Sequence, residues 1–222
     1  MLLNLHTHLL KKQADEQIIF NLMIPESAEA LESFCLESSD AWLSVGIHPW
    51  YISEANYKLQ LQKVIELASH KEVKLIGECG LDRLKGVALP LQEEVFINHI
   101  RIAEEVHKPI VIHCVKCYSE LLSIKKVIRP KIPMVIHGFN NKVEVARQLL
   151  EKEFYLSLGT SLLHEGSNAI TVLEEIPLER LFLETGDKEV DIKEIYQKVA
   201  EVRNITMEEV EKLIFDNYLS LY

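Results

Sequence analysis

The stretch Ile110-Val111-Ile112-His113 decides the fold class of this 222-residue chain, because three β-branched apolar residues run directly into a histidine. An uninterrupted apolar run of this length is typical of a strand with both faces buried, as in a parallel sheet covered by helices. The pattern recurs at Met134-Val135-Ile136, which is followed by His137. We therefore interpret both runs as central strands of a parallel sheet.

Short apolar runs of the same kind occur along the whole chain and alternate with amphipathic helical patterns. Eight strands are predicted, at Leu2–Leu5, Ile18–Leu22, Ala41–Val45, Val73–Ile76, Ile110–Ile112, Met134–Ile136, Tyr155–Leu158 and Leu181–Leu183.

Capping signals place several of the intervening helices. Ser53 is predicted to cap a helix over 54–69, and Pro90 to open one over 91–106. Thr206 and Glu209 are spaced as a capping box before a helix over 210–221.

The repeat of strand and helix predicts a barrel. One unit recurs about every 25 residues, and eight units fit near the lower end of the length range of (β/α)8 barrels. Residues 9–17 are too few to form a crossover helix between the first two strands. We therefore predict one α/β domain, 1–222, folded as a distorted (β/α)8 TIM barrel without the first crossover helix. The alternative is an open doubly wound sheet, which would bring together only residues near its switch point.

Ionisable side chains of metal-ligand type stand at the ends of six of these strands. Loops after the carboxyl ends of barrel strands gather at one face, so such residues can converge on one pocket. The series comprises His6, His8, His48, Glu78, His113, His137 and Glu184.

The N-terminal pair and the glutamate carry the clearest signals. Residues i and i+2 of a strand point to the same side, so His6 and His8 can reach one ion while Thr7 faces away. Glu78 follows a buried apolar run, where a lone charge is too costly, so it must be paired, hydrogen-bonded or metal-bound. Gly77 and Gly80 permit close backbone approach beside it. A salt bridge to a core Lys or Arg is the structural alternative.

The other histidines separate into two groups. His113 or His137 alone would be read as a core histidine, but with the preceding residues they form a set that suits Zn²⁺, Mn²⁺ or Co²⁺. His48 is predicted to contact substrate or a metal ligand, with a structural role as the alternative. Surface positions on helices or at their ends are predicted for His70, His99 and His107.

Composition limits the class of protein. With 48% hydrophobic and 26% charged residues, the sequence is typical of a soluble globular protein. A net charge of −10 disfavours a broad basic surface that tracks nucleic acid, although it permits a phosphorylated substrate held by metal cations. The sequence shows no basic leader and no apolar window of about 18 residues, so neither a signal peptide nor a membrane helix is predicted.

Four scattered cysteines, among them Cys35 and Cys79, indicate free thiols in a reducing cytoplasm. The single pair Cys114-x-x-Cys117 lacks the second pair that a structural zinc site needs. Lys116 lies between these two cysteines, and we predict that it contacts an anionic group at the pocket mouth.

The motifs together resemble the TatD family of metal-dependent deoxyribonucleases over essentially the whole chain. The resemblance rests on segments at the strand ends that occur in the family's order, together with a similar C-terminal helix. These segments are His6-Thr7-His8, Gly46-Ile47-His48-Pro49, Ile76-Gly77-Glu78-Cys79-Gly80-Leu81-Asp82, Ile112-His113, Ile136-His137-Gly138-Phe139 and Leu183-Glu184-Thr185.

This resemblance implies an amidohydrolase-type TIM barrel that hydrolyses phosphodiester bonds, with DNA ends as the expected substrate, by means of a metal-activated water. It implies one or two divalent ions per chain, for which Zn, Mn, Mg and Co are candidates. His6 and His8 would hold the first ion and His113 and His137 the second, with Glu78 bridging them. Glu78 is also the predicted catalytic carboxylate. The predicted substrate contacts are His48 and Lys116.

Two departures from the family pattern bear on activity. The family's last strand usually ends in Glu-Thr-Asp, whose Asp ligates a metal and orients the attacking water, whereas this chain has Gly186 followed by Asp187. Asp187 is predicted to substitute as a catalytic carboxylate if the backbone shifts by one residue. Lys116 replaces a phosphate-binding arginine with a point charge.

Alternative functions follow from these departures. One is a catalytically weak or silent relative that keeps a metal site, and another is a metal-dependent hydrolase of a small phosphoester or amide. The predicted partner is DNA or another phosphoester, with no membrane association, and a monomer is favoured.

Overall fold

The structure is a computed structural model that describes residues 1–11, 13–24 and 42–222. Ala41, the predicted start of the third strand, and Cys35 lie outside the described residues.

Eight strands are hydrogen-bonded in chain order within one sheet. Adjacent strands pair in parallel, for example Leu2 with Glu16 and Leu156 with Leu181. A sequential order of eight parallel strands is that of a (β/α)8 barrel, so the predicted fold class is confirmed and the open doubly wound sheet is wrong. The strands are β1 (Leu2–Thr7), β2 (Glu16–Met23), β3 (Trp42–Gly46), β4 (Val73–Asp82), β5 (Ile110–Val115), β6 (Met134–Ile136), β7 (Phe154–Leu158) and β8 (Leu181–Leu183).

Three strands extend past the apolar runs that predicted them. β1, β4 and β5 continue into polar residues, so His6, Glu78 and His113 lie within strands instead of after them. The ladder between β4 and β5 pairs Gly80 with His113 and ends at Asp82 with Val115. Apolar periodicity misses these ends because backbone pairing continues wherever the polar side chains find partners.

Seven α-helices are described, and their starts correct two of the predicted caps. The first begins three residues later than expected, after Asn56, and the Ser53 hydroxyl instead accepts a hydrogen bond from the Asn56 backbone in the preceding turn. The second begins before Pro90, which lies in its first turn. The helices are α1 (Tyr57–Ala68), α2 (Leu89–Val106), α3 (Tyr118–Ile128), α4 (Val143–Glu151), α5 (Asn168–Glu175), α6 (Ile192–Arg203) and α7 (Met207–Leu219).

Two other helix predictions are confirmed. The Thr206 hydroxyl accepts a hydrogen bond from the Glu209 backbone, and the Glu209 carboxylate accepts one from the Thr206 backbone, which completes the capping box of α7. Between β1 and β2, residues 8–11 and 13–15 contain no helix, as predicted from the short spacing.

The chain divides into two compact units, and the first comprises residues 1–20 and 135–222. Here α6 docks on β1 through Tyr196, whose buried hydroxyl donates to the Leu3 carbonyl (2.8 Å) and accepts from the Leu3 amide (3.0 Å). Similarly, Asn217 of α7 donates to the Leu181 carbonyl of β8 (2.9 Å). Apolar strand residues such as Leu158 and Phe182 are fully buried.

The second unit comprises residues 21–134. Its core includes Ile110, Val111 and Ile112, all with no exposed surface, as expected for a strand covered on both faces. At Gly80, where φ is +142°, an added Cβ would lie 2.0 Å from the His113 carbonyl oxygen. This glycine therefore permits the close approach of β4 to β5.

His99 corrects a sequence expectation, because it is fully buried in α2 and not on the surface. Its Nδ1 lies 2.8 Å from the Val95 carbonyl oxygen, and its Nε2 accepts a hydrogen bond from the Ile47 amide at 3.0 Å. Desolvation by burial lowers the pKa of His99 to about 4, so the ring is neutral at pH 7. His70 and His107 are exposed, as predicted.

Within the described residues, no helix combines the length and the apolar character needed to cross a membrane.

Replacing Gly80 by alanine is expected to destabilise the protein by at least about 2 kcal/mol, because Cβ would collide with the backbone of β5. Gly166→Ala is the matched control: φ is also positive there (+73°), but nothing lies within 4 Å of the added Cβ. Its cost should be about 1 kcal/mol. Urea denaturation of both variants measures the difference, and equal losses would show that the contact with β5 is unimportant.

Candidate metal centre

Glu78 is held in one orientation by an asparagine. In the second unit, Asn21 Nδ2 donates to Glu78 Oε2 (3.0 Å), while Asn21 Oδ1 accepts from the Glu78 amide (3.0 Å). Ser44 Oγ donates to the same Oδ1 (3.3 Å) and so fixes the amide of Asn21. The Glu78 side chain is only 2% exposed, and this arrangement leaves Oε1 for other partners.

The His113 ring lies between two buried carboxylates. Its Nε2 is 3.1 Å from Asp82 Oδ2, and its Nδ1 is 3.0 Å from Glu78 Oε1. If the ring proton is donated to Asp82, Nδ1 and Glu78 Oε1 are both acceptors at contact distance. Two facing acceptors can share a cation or one donor, and His48 Nε2 lies 3.1 Å from Glu78 Oε1 and 3.3 Å from His113 Nδ1. The pair therefore fits a divalent metal ion, and carboxylate support of a histidine ligand is the usual arrangement at such sites.

Asp82 is well suited to hold that proton. Its Oδ2 also accepts from Trp50 Nε1 (2.6 Å), and its Oδ1 accepts from the amides of Leu84 (2.8 Å) and Lys85 (3.2 Å). Burial alone would raise the pKa of Asp82, but hydrogen bonds from Trp50, Leu84 and His113 outweigh it and hold that pKa below its usual range. Asp82 therefore stays ionised and keeps the proton on Nε2 of the His113 ring.

His48 belongs to the same cluster as a hydrogen-bond donor. Ligand atoms of His48, Glu78 and His113 lie within 4.8 Å of one another, which by distance alone would suit one ion. However, His48 Nδ1 accepts a hydrogen bond from the Trp50 amide (3.2 Å), so the proton of the neutral ring is on Nε2. That proton faces Glu78 Oε1 at 3.1 Å. His48 therefore orients Glu78 and does not offer Nε2 to a metal.

In the first unit, three of the predicted histidines form a second cluster. His6 and His8 point to the same side, with their Nε2 atoms 3.2 Å apart, and the ring centroids of His6 and His137 are separated by 4.5 Å. Thr7 turns away and accepts a hydrogen bond from Thr185 Oγ1 at 3.2 Å. Two nitrogens bound at 2.0–2.1 Å to a tetrahedral ion would be about 3.4 Å apart, so the pair fits a metal.

Glu184 supports His137 much as Asp82 supports His113. Glu184 Oε1 lies 3.2 Å from His137 Nδ1 and accepts from the Gly138 amide at 2.9 Å. The residue is 2% exposed, and its Oε2 is buried without a hydrogen-bond partner in the described part of the chain. We interpret Glu184 as the carboxylate that orients the His137 ring through Nδ1.

The backbone at Gly186 is firmly held. Its amide donates to the His6 carbonyl (3.0 Å), and its carbonyl accepts from the His8 amide (2.9 Å). The side chain of Asp187 is exposed and forms an ion pair with Lys188 at 3.0 Å. The hydrogen bond from Lys188, reinforced by the charges of Lys188 and His8, lowers the pKa of Asp187 despite partial burial.

Lys116 is exposed at the end of β5, with φ at +52°. Its backbone carbonyl accepts a hydrogen bond from Arg83 Nε (3.0 Å), and Arg83 is paired with Glu120. The described cysteines, Cys79, Cys114 and Cys117, are all buried free thiols.

The sequence did not predict roles for Asp82, Trp50 or Asn21. Glu184 was not included among the predicted metal ligands. Asp82 ends the segment Gly80-Leu81-Asp82, and a carboxylate at the end of a buried strand could have indicated a role in the site. The roles of Asn21 and Trp50 depend on contacts between strands and loops, so periodicity could not reveal them.

Comparison with known proteins shows the family of this chain. A family model described as TatD related DNase matches residues 6–222. The chain is 28% identical over 197 residues to an uncharacterised metal-dependent hydrolase, YabD of Bacillus subtilis, covering 82% of this chain and 77% of that protein. It is 27% identical over 191 residues to TatD of Escherichia coli K12, named as a 3'-5' ssDNA/RNA exonuclease, covering 84% and 73%.

Among solved structures, the TatD homologue YjjV of Escherichia coli K12 has the same fold, with a TM-score of 0.84 at 18% identity, covering all of this chain and 97% of that one. The chain belongs to the TatD family of metal-dependent hydrolases.

Asp82→Asn is expected to lower metal affinity 10- to 100-fold, because the loss of charge weakens the hold on His113 Nε2–H. Competition against a chromogenic chelator measures this affinity. Trp50→Phe, which removes one donor to Asp82 and keeps the carboxylate, should have a smaller effect. Wild-type affinity in Asp82→Asn would show that Asp82 does not orient the ligand.

Proposed function

We propose that this protein hydrolyses phosphodiester bonds at the ends of single-stranded DNA or RNA. The observation that carries the proposal is the His113 ring, with Nε2 held by Asp82 and Nδ1 facing the fixed carboxylate of Glu78. That pair offers two acceptors suited to a divalent cation. Relatives named as 3'-5' ssDNA/RNA exonucleases, at 27–29% identity, support the choice of substrate.

The metal ligands that we propose are His6, His8, Glu78, His113 and His137. A bound divalent ion supplies Lewis acidity and lowers the pKa of a coordinated water to about 7.

The chain's own residues supply orientation and proton transfer. Glu78 presents Oε1, because Asn21 binds Oε2 and His48 donates to Oε1. Asp82 keeps the proton on Nε2 of His113. We propose that Asp187 leaves its ion pair with Lys188, acts as the strand-eight catalytic carboxylate and accepts the proton of the attacking water.

The charge of the protein also favours a strand end. A net charge of −10 disfavours binding along a duplex, which requires many cations to neutralise phosphates. An end requires few contacts, and Lys116 is the proposed substrate cation. His48 orients Glu78 instead of binding substrate, because the Trp50 amide and Glu78 engage both of its ring nitrogens.

The direct test is digestion of a 5′-labelled single strand by the purified protein loaded with Zn²⁺, Mn²⁺, Mg²⁺ or Co²⁺, with a hairpin duplex for comparison. Shortening of the strand from its 3′ end that stops on adding chelator is expected. Glu78→Ala should abolish product formation, whereas Glu94→Ala, which removes an exposed carboxylate on α2, should not. Unchanged turnover in Glu78→Ala would rule out the proposed role of Glu78. Absence of chelator-sensitive cleavage of any strand would refute the nuclease function.

Asp187→Asn is expected to lower kcat about tenfold or more without changing metal affinity, since general acid–base groups typically contribute 10²–10⁴-fold. Lys188→Gln is the control, because it removes only the ion-pair partner of Asp187. Steady-state rates and chelator competition on the same preparations separate the two effects. A wild-type rate in Asp187→Asn would exclude the residue from proton transfer.

A further inference from the structure

Two adjacent aromatic side chains are exposed beside the histidine cluster of the second unit. Trp50 and Tyr51, in the short 3-10 helix that follows His48, are 38% and 41% exposed. The ring centroid of Trp50 lies 4.8 Å from that of His48 and 5.8 Å from that of His113. That of Tyr51 lies 5.8 Å from His48. A ligand group resting on these rings would therefore lie directly beside the proposed metal ligand His113.

The indole of Trp50 is fixed in place. Its Nε1–H donates to the buried carboxylate of Asp82 at 2.6 Å, so the ring plane is set by the same group that orients His113. An aromatic ring held before a ligand arrives loses little conformational entropy on binding. Exposure combined with such a constraint is typical of a binding residue.

The loop that follows β4, residues 83–88, is built against this aromatic pair. An added Cβ at Gly86 would lie 2.5 Å from the Pro49 carbonyl oxygen, so the loop packs directly on the residue before Trp50. Buried Gln92 ties the loop down by donating to the carbonyls of Lys85 (3.3 Å) and Val87 (2.7 Å). The loop and the aromatic pair therefore form one preorganised surface.

Cations lie on the same rim. Lys85 Nζ is 3.7 Å from the centroid of the Trp50 ring, and Lys116 stands at the end of β5. Neither ammonium has a carboxylate within 4.0 Å among the described residues. In a chain of net charge −10, the Lys85 ammonium on the exposed Trp50 ring indicates an anionic ligand that also carries a flat apolar group. Nucleotides combine these features.

We propose that Trp50 and Tyr51 are a stacking platform for an unpaired nucleobase next to the scissile phosphate, and that Lys85 leaves the indole face to bind the phosphate backbone. This inference rests on the proposed function and narrows its substrate to strands that carry accessible bases. Small phosphoesters without a base would lack the stacking contact. Stacking is tolerant of sequence because every base has a π-face.

Intrinsic fluorescence gives a direct readout, because the chain has only two tryptophans, Trp42 and Trp50. In a metal-loaded Trp42→Phe variant, a ten-residue thymidine strand with cleavage-resistant phosphorothioate linkages should quench Trp50 to saturation. An abasic strand with the same linkages should bind about tenfold more weakly, as expected for loss of stacking. Equal affinity for both strands, or binding of neither, would overturn the platform. Anisotropy of a labelled strand with the wild-type protein provides the same comparison if Trp42→Phe is unstable.

Variants at the rim test the platform without disturbing Asp82. Tyr51→Leu should weaken binding of the thymidine strand about tenfold, whereas Tyr51→Phe, which keeps the ring, should bind within twofold of wild type. Lys85→Gln should reduce the slope of log affinity against log salt by about 0.7, the value for one phosphate contact on a single strand. Unchanged affinity in Tyr51→Leu together with an unchanged salt slope in Lys85→Gln would contradict the proposal.

The outcome separates the platform from the nuclease function. A strand that binds tighter than its abasic analogue but is never cut supports the platform and refutes the nuclease. A strand that is cut but binds no tighter than the abasic strand refutes the platform alone.

Discussion

The buried carboxylate of Glu78 imposes the constraint on which the candidate centre of the second unit depends. A lone charge at 2% exposure would be too costly, so β2, β3 and β5 must supply its partners. They do so through Asn21, Ser44 and His113. Because each of these side chains comes from a different strand, the register of the sheet and the chemistry of the site are fixed together.

Buried carboxylates set the tautomer of two further histidines. Asp82 faces Nε2 of His113 and Glu184 faces Nδ1 of His137, so the two carboxylates bind opposite nitrogens of the two rings. His48 differs, because a backbone amide binds its Nδ1 and its proton is directed at Glu78. Distances alone would group His48 with the ligands, whereas hydrogen-bond direction assigns it to orientation. Trp50 then connects Asp82 to the exposed rim, so one carboxylate contacts both the His113 ring and a partly exposed aromatic side chain.

Local signals predicted the eight strands, the capping box of α7 and the short link between β1 and β2, because these depend on neighbouring residues. The continuation of β4 to Asp82 was missed, since buried polar residues break apolar periodicity while the backbone ladder continues. His99 was misplaced for a related reason. A histidine in a helix reads as polar, yet here the Ile47 amide and the Val95 carbonyl satisfy both nitrogens inside the core.

The sequence by itself determined the barrel class, the family and the set of candidate ligands, because apolar runs of strand length and the polar residues that follow them are written in chain order. Only the tertiary structure decided that Asp82 binds Nε2 of His113 and that Glu184 binds Nδ1 of His137. It also decided that Asp187 pairs with Lys188 at the surface. The two histidine–carboxylate contacts join residues 31 and 47 positions apart, and spacing along a chain does not encode which nitrogen faces the carboxylate.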